Sequence, residues 1–391
     1  MLNNRDIIIF GDDWGRYPST IQHIGRVLAK NNRVIWVGSL GLRKPEFNLD
    51  DFKRAFQKLL SVFRKNSSGV DNTDDVVVLH PFVIPLHDFK FVNLINKYLL
   101  IRKLKKAMVC YNLSNPVLLT SSPVVFNIVG RLGESSVHYI CLDDYSHFKG
   151  AFSKISKFEQ ILIRYADSCF SVSDVLANKI NKIKGKSYHL PQGVELDHFS
   201  KQSRQVPDIL KDIGKPVIGY FGILAPIWIN LNLLINAAKR YPEYQFLIIG
   251  RSEMDTSELN TVNNIKFIGE VPYKELPVYA QVFDVGIIPF EINDLTKACN
   301  PIKLYEYLAL GIPVVSTALS EVKKFNDLVF IAENEEDFIK LIKSAVEDCT
   351  PSRNQARKLK AIDFTWEAIT EKISDVIINV ENNKISKRFS I

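Results

Sequence analysis

The 391-residue sequence lacks the features that mark several common classes of protein. No apolar run approaches the ~18 residues that a membrane-spanning helix needs, and Asp6 interrupts the first apolar stretch, so neither a span nor an export signal is expected. The five cysteines are widely spaced with no CxxC pair, which argues against a disulfide framework or a zinc site. We therefore expect a folded protein of a reducing, cytoplasmic compartment.

Familiar motifs of other enzyme classes are also missing. The segment FGDDWG after the first predicted strand is not GxGxxG, which disfavours an oxidoreductase with a dinucleotide cofactor, and no GxSxG hydrolase motif occurs. No Asp-x-Asp spacing and no nucleic-acid-binding motif occur either. We expect no cofactor, no bound metal and no nucleic-acid partner.

The net charge of +7 is concentrated in the first half of the chain. Residues 1–200 hold 27 Lys+Arg against 18 Asp+Glu, whereas residues 201–391 hold 23 against 25. A modest basic bias of this kind suits phosphorylated substrates or an anionic membrane surface.

Short β-branched apolar runs alternate with longer amphipathic segments along the whole chain, which is typical of parallel sheets covered by helices. The predicted strands are 6–10, 34–37, 76–80, 117–120, 137–141, 168–172, 217–221, 246–249, 265–268, 285–288, 314–316 and 329–331. A polar, proline-containing stretch near 190–215 separates two such series. The fold class predicted is α/β, with two Rossmann-like doubly wound domains.

The segment CNPIKLYEYLALGIPVVST (299–317) predicts a short helix with a phosphate-binding start. Asn300 suits the N-cap, Pro301 the first helical position and Gly311 the left-handed residue at the end. Lys303 would add a full charge to the positive end of the helix dipole, and Glu306 would lie one turn, ~5 Å, further on, within reach of ribose hydroxyls. The alternative is a solvated Lys–Glu surface pair.

Aspartates follow two strands at the same predicted sheet edge. We favour Asp13 and Asp144 as a base or hydrogen-bond acceptor at this edge, with Asp12 and Asp143 as further candidates. The alternative is that one aspartate of each pair caps the following loop.

Three further residues are candidates from their positions at strand ends. Trp14 lies in the first loop, His80 ends a strand, and Arg251 directly follows the strand FLIIG. All three are candidates to face a bound ligand.

The sequence resembles the GT-B-fold glycosyltransferases of the retaining family 4 type, and in particular bacterial polysaccharide and teichuronic-acid transferases. The resemblance rests on DDWGRYPSTIQHIGRVLAKNNRVIWVGSLGLR, YICLDDYSHF, LPQGVELDHF, IGYFGIL, FLIIGRSE and the stretch from VGIIPF to IPVVST. It implies an N-terminal acceptor-binding domain (1–195), a linker (196–215), a C-terminal nucleotide-sugar-binding domain (216–363) and a last helix with tail (364–391) that crosses back. The two domains are expected to face a cleft.

The resemblance also implies roles for individual residues. Glu306 matches the second glutamate of the paired-glutamate motif, assigned to the ribose hydroxyls, but Ala298 stands where the first glutamate is expected. The usual basic pair after the first strand of the C-terminal domain is missing, because Gly222 is followed by ILAPIWINLN. Lys303 and Arg251 would then offset the diphosphate charge, with Gly222, Asn300 and Pro301 completing the donor site.

The expected activity is transfer of a hexosyl or N-acetylhexosaminyl group from a UDP-sugar to a surface polysaccharide precursor or a lipid-linked acceptor, with retention and without a metal. The alternatives are a sugar-nucleotide epimerase of the same fold and a non-catalytic GT-B assembly subunit, which Ala298 would favour.

Two basic amphipathic segments, 52–65 and 89–108, suggest peripheral attachment to the inner face of the cytoplasmic membrane. The alternative for each is a helix that packs its apolar face on its own domain.

Overall fold

The computed structural model describes residues 1–15, 18–41, 70–73, 76–148, 150–200 and 206–389. The chain divides into two compact units. The first comprises Met1–Leu190 together with Ile369–Ile391, and the second comprises Pro191–Ala368.

The first unit is built on an eight-stranded sheet with the order β3-β4-β2-β1-β5-β6-β7-β8. All neighbouring strands are parallel except β3, which pairs with β4 in the antiparallel direction. Its strands are β1 (Asp6–Phe10), β2 (Arg33–Val37), β3 (Val70–Thr73), β4 (Val76–Leu79), β5 (Val117–Thr120), β6 (Ser136–Cys141), β7 (Ser168–Ser171) and β8 (Tyr188–His189). The helices described between them are α1 (Thr20–Ala29), α2 (Lys90–Cys110), α3 (Ile155–Tyr165) and α4 (Asp174–Lys184).

The second unit has a six-stranded parallel sheet with the order β11-β10-β9-β12-β13-β14. Its strands are β9 (Val217–Phe221), β10 (Gln245–Ile249), β11 (Ile265–Phe267), β12 (Val285–Ile288), β13 (Val314–Thr317) and β14 (Val329–Ala332). Its helices are α5 (Leu196–Ser200), α6 (Leu231–Arg240), α7 (Leu276–Ala280), α8 (Asp294–Lys297), α9 (Ile302–Leu310), α10 (Glu335–Glu347) and α11 (Pro351–Ile362).

All twelve predicted strands are confirmed, with ends that differ by at most one residue. Central strands such as β1 and β9 are buried at every position, as expected for parallel strands covered by helices on both faces. The sequence missed β3 and β8, because VDNT and the two-residue strand YH are too polar or too short to give an apolar run.

The segment between the two strand series packs into the second unit. Phe199 and Leu210 are fully buried in the core of that unit, and the N–H of Val194 donates to the carbonyl of Phe364. The predicted linker, 196–215, therefore contains core residues.

The last helix, α12 (Trp366–Phe389), ends in the first unit. Glu381 accepts hydrogen bonds from Arg5, Ser135 and Ser136, and Lys384 pairs with Asp167. No helix among the described residues is long and apolar enough to cross a membrane.

Candidate functional site

Both sheets reverse their strand order at one point, and that point locates the candidate sites. The order runs outward from β1 and β5 in the first unit and from β9 and β12 in the second, which is the doubly wound pattern. Ligands of such sheets bind outside the carboxyl ends of the strands at this switch point. The residues directly after β1, β5, β9 and β12 are therefore the first to inspect.

Two glycines bring the loops after β9 and β10 into close contact. Gly222 has φ +138° and Gly250 has φ +143°, which are conformations that only glycine adopts readily. A Cβ on Gly250 would lie 1.8 Å from the carbonyl oxygen of Gly222. A Cβ on Gly222 would lie 3.2 Å from Lys303 Nζ, so the backbone here approaches the lysine that the sequence analysis singled out.

Lys303 extends from the first turn of α9 to the switch point of the second unit. Its Nζ lies 4.9 Å from the ring centroid of Phe290, after β12, and 5.4 Å from that of Tyr220, in β9. Burial lowers the pKa of Lys303, while the charge of Glu306 opposes this shift. The ammonium group thus stands beside aromatic faces and near unpaired N–H groups of a helix start, a setting that favours an anion.

Glu306 is buried with 5% of its surface exposed. Of the residues that the structure describes, none donates a hydrogen bond to its carboxylate, and the charges of Lys303 and Glu195 act on its pKa in opposite directions. Burial raises the pKa of Glu306, and Lys303 opposes the shift. Its carboxylate oxygens are therefore available to the hydroxyl groups of a ligand, which would donate hydrogen bonds to them.

The start of α9 differs in detail from the prediction. Pro301, with φ −74° and ψ 117°, is the N-cap, and the helix begins at Ile302. Asn300 is not the cap: it is buried, and its side-chain oxygen accepts a hydrogen bond of 3.1 Å from the Tyr305 hydroxyl. The end is as predicted, since Gly311 has φ +81°.

The two remaining donor-side positions are Arg251, whose charge is paired, and Ala298, which is uncharged. Arg251 lies at the expected strand end but pairs with Glu253 at 2.6 Å. Ala298 ends α8 and is 1% exposed, so the position of the first motif glutamate offers only a buried methyl group.

The first unit presents Asp12 and Asp13 directly after β1. Asp12 Oδ1 accepts from the Ser19 hydroxyl at 3.0 Å and from Gln22 Nε2 at 2.9 Å. Burial raises the pKa of Asp12, and these two hydrogen bonds oppose the shift. The pattern Ser19–x–x–Gln22 suggests a capping box at the start of α1, but no side-chain cap forms there, because both side chains bond Asp12.

Asp13 and His80 lie close to the same backbone position. A Cβ on Gly38 would lie 3.4 Å from Asp13 Oδ1 and 3.6 Å from His80 Nδ1. Asp13 also accepts from the backbone N–H of Ser39 at 3.2 Å. The loops after β1, β2 and β4 thus bring these two side chains together.

Trp14 packs edge-on against Trp36, with ring centroids 4.7 Å apart, and Arg26 lies 5.2 Å from the Trp14 ring. Trp36 also fills the space beside Gly11, where a Cβ would lie 2.4 Å from its ring. Gly11 is thus required by the packing of Trp36.

Asp143 and Asp144 follow β6, and their carboxylates differ in hydrogen-bond partners and in the direction of their pKa shifts. Asp144 accepts from the Ser146 hydroxyl at 2.6 Å and from Lys179 Nζ at 3.0 Å. Burial raises its pKa, but these hydrogen bonds outweigh burial and lower it overall. The carboxylate of Asp143 accepts no hydrogen bond from a described residue, and burial, with the charge of Asp144, raises its pKa to about 7.

Several neighbours of these aspartates escaped the sequence analysis. Lys179 joins Asp144 to Glu159, which is 1% exposed and accepts from the Tyr139 hydroxyl at 2.8 Å. The Tyr145 hydroxyl donates to the carbonyl of Ser121, after β5. Only the pairing of strands could have revealed these contacts, since the partners lie 20 to 35 residues apart.

Within the described ranges, no group of three or more His, Cys, Asp or Glu side chains is arranged to hold a metal ion.

Two Rossmann-like units of this order define the GT-B class of fold, and comparison with solved structures agrees. A crystal structure of Alr3699/HepE from Anabaena in complex with UDP matches with a TM-score of 0.67 at 14% identity, covering 95% of this chain and 100% of that one. Sucrose-phosphate synthase from Thermosynechococcus elongatus matches with a TM-score of 0.70 at 13% identity, covering 96% and 99%. At such identities these matches show the fold alone.

Each sequence comparison matches only part of this chain. Residues 215–348 match the family described as glycosyl transferases group 1. A protein of Bacillus subtilis (strain 168), named as the teichuronic acid biosynthesis glycosyltransferase TuaH, is 32% identical over 180 residues. That match covers 44% of this chain and 45% of the relative, so it spans somewhat less than half of the relative's length.

Proposed function

We propose that this chain is a glycosyltransferase that moves a sugar from a nucleoside diphosphate, a UDP-sugar, to a hydroxyl of a polysaccharide precursor or lipid-linked acceptor. The observation that carries the proposal is Glu306, a buried carboxylate to which no described residue donates a hydrogen bond, placed one helical turn after Lys303 at the switch point. Relatives point the same way: the solved HepE structures contain UDP, glucose and UDP-glucose, and TuaH is named for teichuronic acid biosynthesis.

On the donor side, Lys303 and the start of α9 offset the charge of the diphosphate. Glu306 accepts hydrogen bonds from the two ribose hydroxyls, which supplies the donors it otherwise lacks. Gly222 lets the diphosphate approach both the backbone and Lys303. A side chain at position 222 would occupy the space beside the Lys303 ammonium group. Arg251 contributes once the ligand competes with Glu253 for its guanidinium group. The leaving diphosphate is thus stabilised by fixed protein charges and N–H groups, without a metal.

On the acceptor side, Asp143 accepts the hydrogen bond of the attacking hydroxyl, because Asp144 is already engaged by Lys179 and Ser146. Asp13 and His80, side by side near Gly38, and Asp12 with Trp14 complete the acceptor edge. The transferred group is a hexosyl or N-acetylhexosaminyl unit, transferred with retention, and the protein works in the cytoplasm at the inner membrane face.

The proposal is tested by the rise in melting temperature of the purified chain on adding UDP or UDP-sugars. We expect stabilisation that is unchanged by excess EDTA and that is lost in Glu306→Ala and in Lys303→Ala. Each variant removes one charge-assisted contact worth about 1.5–3 kcal/mol, so UDP affinity should fall about tenfold to a hundredfold.

A matched control exists in the same unit. Glu336 and Lys340 form an exposed ion pair of 2.6 Å on α10, and their alanine variants should leave the UDP response intact. A UDP response that survives Glu306→Ala and Lys303→Ala, or that needs a divalent ion, would contradict the donor site proposed.

The buried Ala298 favours one alternative, a non-catalytic assembly subunit of the same fold. Product analysis separates the possibilities. A transferase releases UDP as its sugar appears on an acceptor, an epimerase alters the sugar without an acceptor, and an assembly subunit does neither.

A further inference from the structure

The helix α2 buries one face and leaves the opposite face open. Its buried residues, Asn96, Leu100, Leu104 and Ala107, follow one another at three- or four-residue spacing. Asn96 fixes this face by bonding both the N–H and the carbonyl of Ile84, each at 2.9 Å. The orientation of the helix on its unit is therefore determined.

The opposite face, which we call the outward face of α2, consists of Phe91, Leu94, Tyr98, Arg102, Lys105 and Val109. These residues also follow at three- or four-residue spacing, half a turn away from the buried ones. Phe91, Leu94 and Tyr98 are 73%, 62% and 64% exposed, and Val109 is 77% exposed. Phe89, directly before the helix, is 60% exposed. So many large apolar side chains exposed together mark an interaction site.

The charge of α2 is entirely of one sign. The helix contains six basic residues and no acidic one. Its first half presents apolar and aromatic side chains outward, whereas Arg102, Lys105 and Lys106 in its second half are exposed cations. A partner must therefore accept aromatic side chains and, a few ångströms away, supply negative charge.

The helix is also tied to the acceptor edge of its sheet. Lys103 donates a hydrogen bond to the backbone carbonyl of His80, after β4. His80 is the residue whose ring lies near Asp13. The helix is thus fixed to the loop that carries His80.

We propose that the outward face of α2 docks on an anionic lipid bilayer, with Phe91, Leu94 and Tyr98 inserted at the interface and Arg102, Lys105 and Lys106 on the headgroups. A bilayer supplies both the apolar layer and the anionic layer in the required order. The inference deepens the proposed function and rests on it, because a lipid-linked acceptor would be anchored in the same bilayer.

The test is flotation of the purified full chain with vesicles of phosphatidylcholine alone or with one third phosphatidylglycerol. We expect binding to the anionic vesicles only, weakened by salt. Each basic group near such a surface is worth about fivefold in partitioning, so the triple variant Arg102→Gln, Lys105→Gln, Lys106→Gln should bind on the order of 100-fold more weakly. Phe91→Ser with Leu94→Ser should reduce binding by at least about tenfold.

Matched controls lie elsewhere on the first unit. The triple variant Arg164→Gln, Lys182→Gln, Lys186→Gln removes three cations, of which Arg164 and Lys182 are on α3 and α4, and Tyr165→Ser removes an aromatic residue that is 68% exposed. Both controls should keep vesicle binding. A Leu94→Trp variant adds a direct readout, because an inserted indole shifts its emission to the blue and is quenched by brominated lipid.

The outcomes are separable from those of the donor site. Glu306→Ala should bind vesicles normally, and the α2 variants should keep their UDP response in solution. Absence of binding to anionic vesicles, equal binding to neutral vesicles, or equal losses in the control variants would overturn the proposal and indicate a protein partner with an acidic groove instead.

Discussion

Asp143 and Asp144 are adjacent in the sequence, yet their surroundings give them different chemistry. The carboxylate of Asp144 is held by Ser146 and Lys179 and is stabilised in its charged form. That of Asp143 is held by no described donor and is destabilised in its charged form by burial and by Asp144. A carboxylate with a pKa near neutrality is the better proton acceptor, since its basicity matches the working pH.

We expect Asp143→Asn to reduce sugar transfer about 100-fold or more while leaving UDP stabilisation unchanged. Transfer needs the ionised form of Asp143, so kcat/KM should rise as the pH rises through about 7 and then level off. This limb should be absent in the variant. The measurement is UDP release from UDP-sugar in the presence of a membrane lipid extract, followed across pH.

Asp144→Asn is the control for this prediction. It weakens the pairing with Lys179, so we expect a lower melting temperature and a smaller change in kcat. If Asp144→Asn abolished transfer while Asp143→Asn did not, the assignment of the sequence analysis, which favoured Asp144, would be preferred.

At the scale of elements, the ends of β9 and β10 are locked together by main-chain contacts. The N–H of Gly222 donates to the carbonyl of Ile249 at 2.8 Å, and the N–H of Leu224 donates to that of Arg251 at 2.9 Å. Gly250 lies within this contact, where no side chain has room. The two loops therefore form one surface, to which the backbone at Gly222 is fixed.

Gly250→Ala should destabilise the second unit by about 3 kcal/mol or more, because a Cβ would overlap the carbonyl oxygen of Gly222 at a backbone angle that disfavours it. The measurement is the urea midpoint of that unit.

Gly214→Ala provides the comparison, since no atom lies within 4 Å of a Cβ there. Its effect should stay within about 0.5 kcal/mol. Equal effects of the two substitutions would show that a Cβ at position 250 is accommodated between the two loops, which would contradict the prediction.

At the scale of the whole molecule, the second unit has a hydrophobic core built from its own residues. One hydrophobic cluster joins residues from Val194 to Ala361. It includes side chains of β9, β10, β12, β13 and β14, and the partly buried Ile265 and Phe267 of β11 pack against it. Phe199 and Leu210, upstream of β9, belong to the same cluster. The unit therefore begins well before its first strand.

A fragment covering Pro191–Ala368 should consequently melt in a single cooperative transition and retain the stabilisation by UDP, whereas a fragment starting at Pro216 should melt at a markedly lower temperature. Calorimetry with and without UDP measures both. A fragment 191–368 without a cooperative transition would show that its core depends on the other unit.

The resemblance to a known family implied the GT-B class of fold, and the sequence patterns themselves determined the two strand series and the end of α9 at Gly311. These features depend on local patterns: an apolar run buried on both faces of a parallel sheet is legible without knowledge of its neighbours. Lys303 and Glu306 were also found, because a helix start and a one-turn spacing are local.

Only the tertiary structure decided which of these groups are available. Ser19 and Gln22 bond Asp12, Lys179 bonds Asp144 from 35 residues away, and no described residue donates to the buried Glu306. The physical reason is that burial and hydrogen-bond partners are set by the pairing of segments far apart in the chain. The sequence therefore gives the position of a carboxylate, whereas the fold sets its pKa and decides whether its oxygens can bind a ligand.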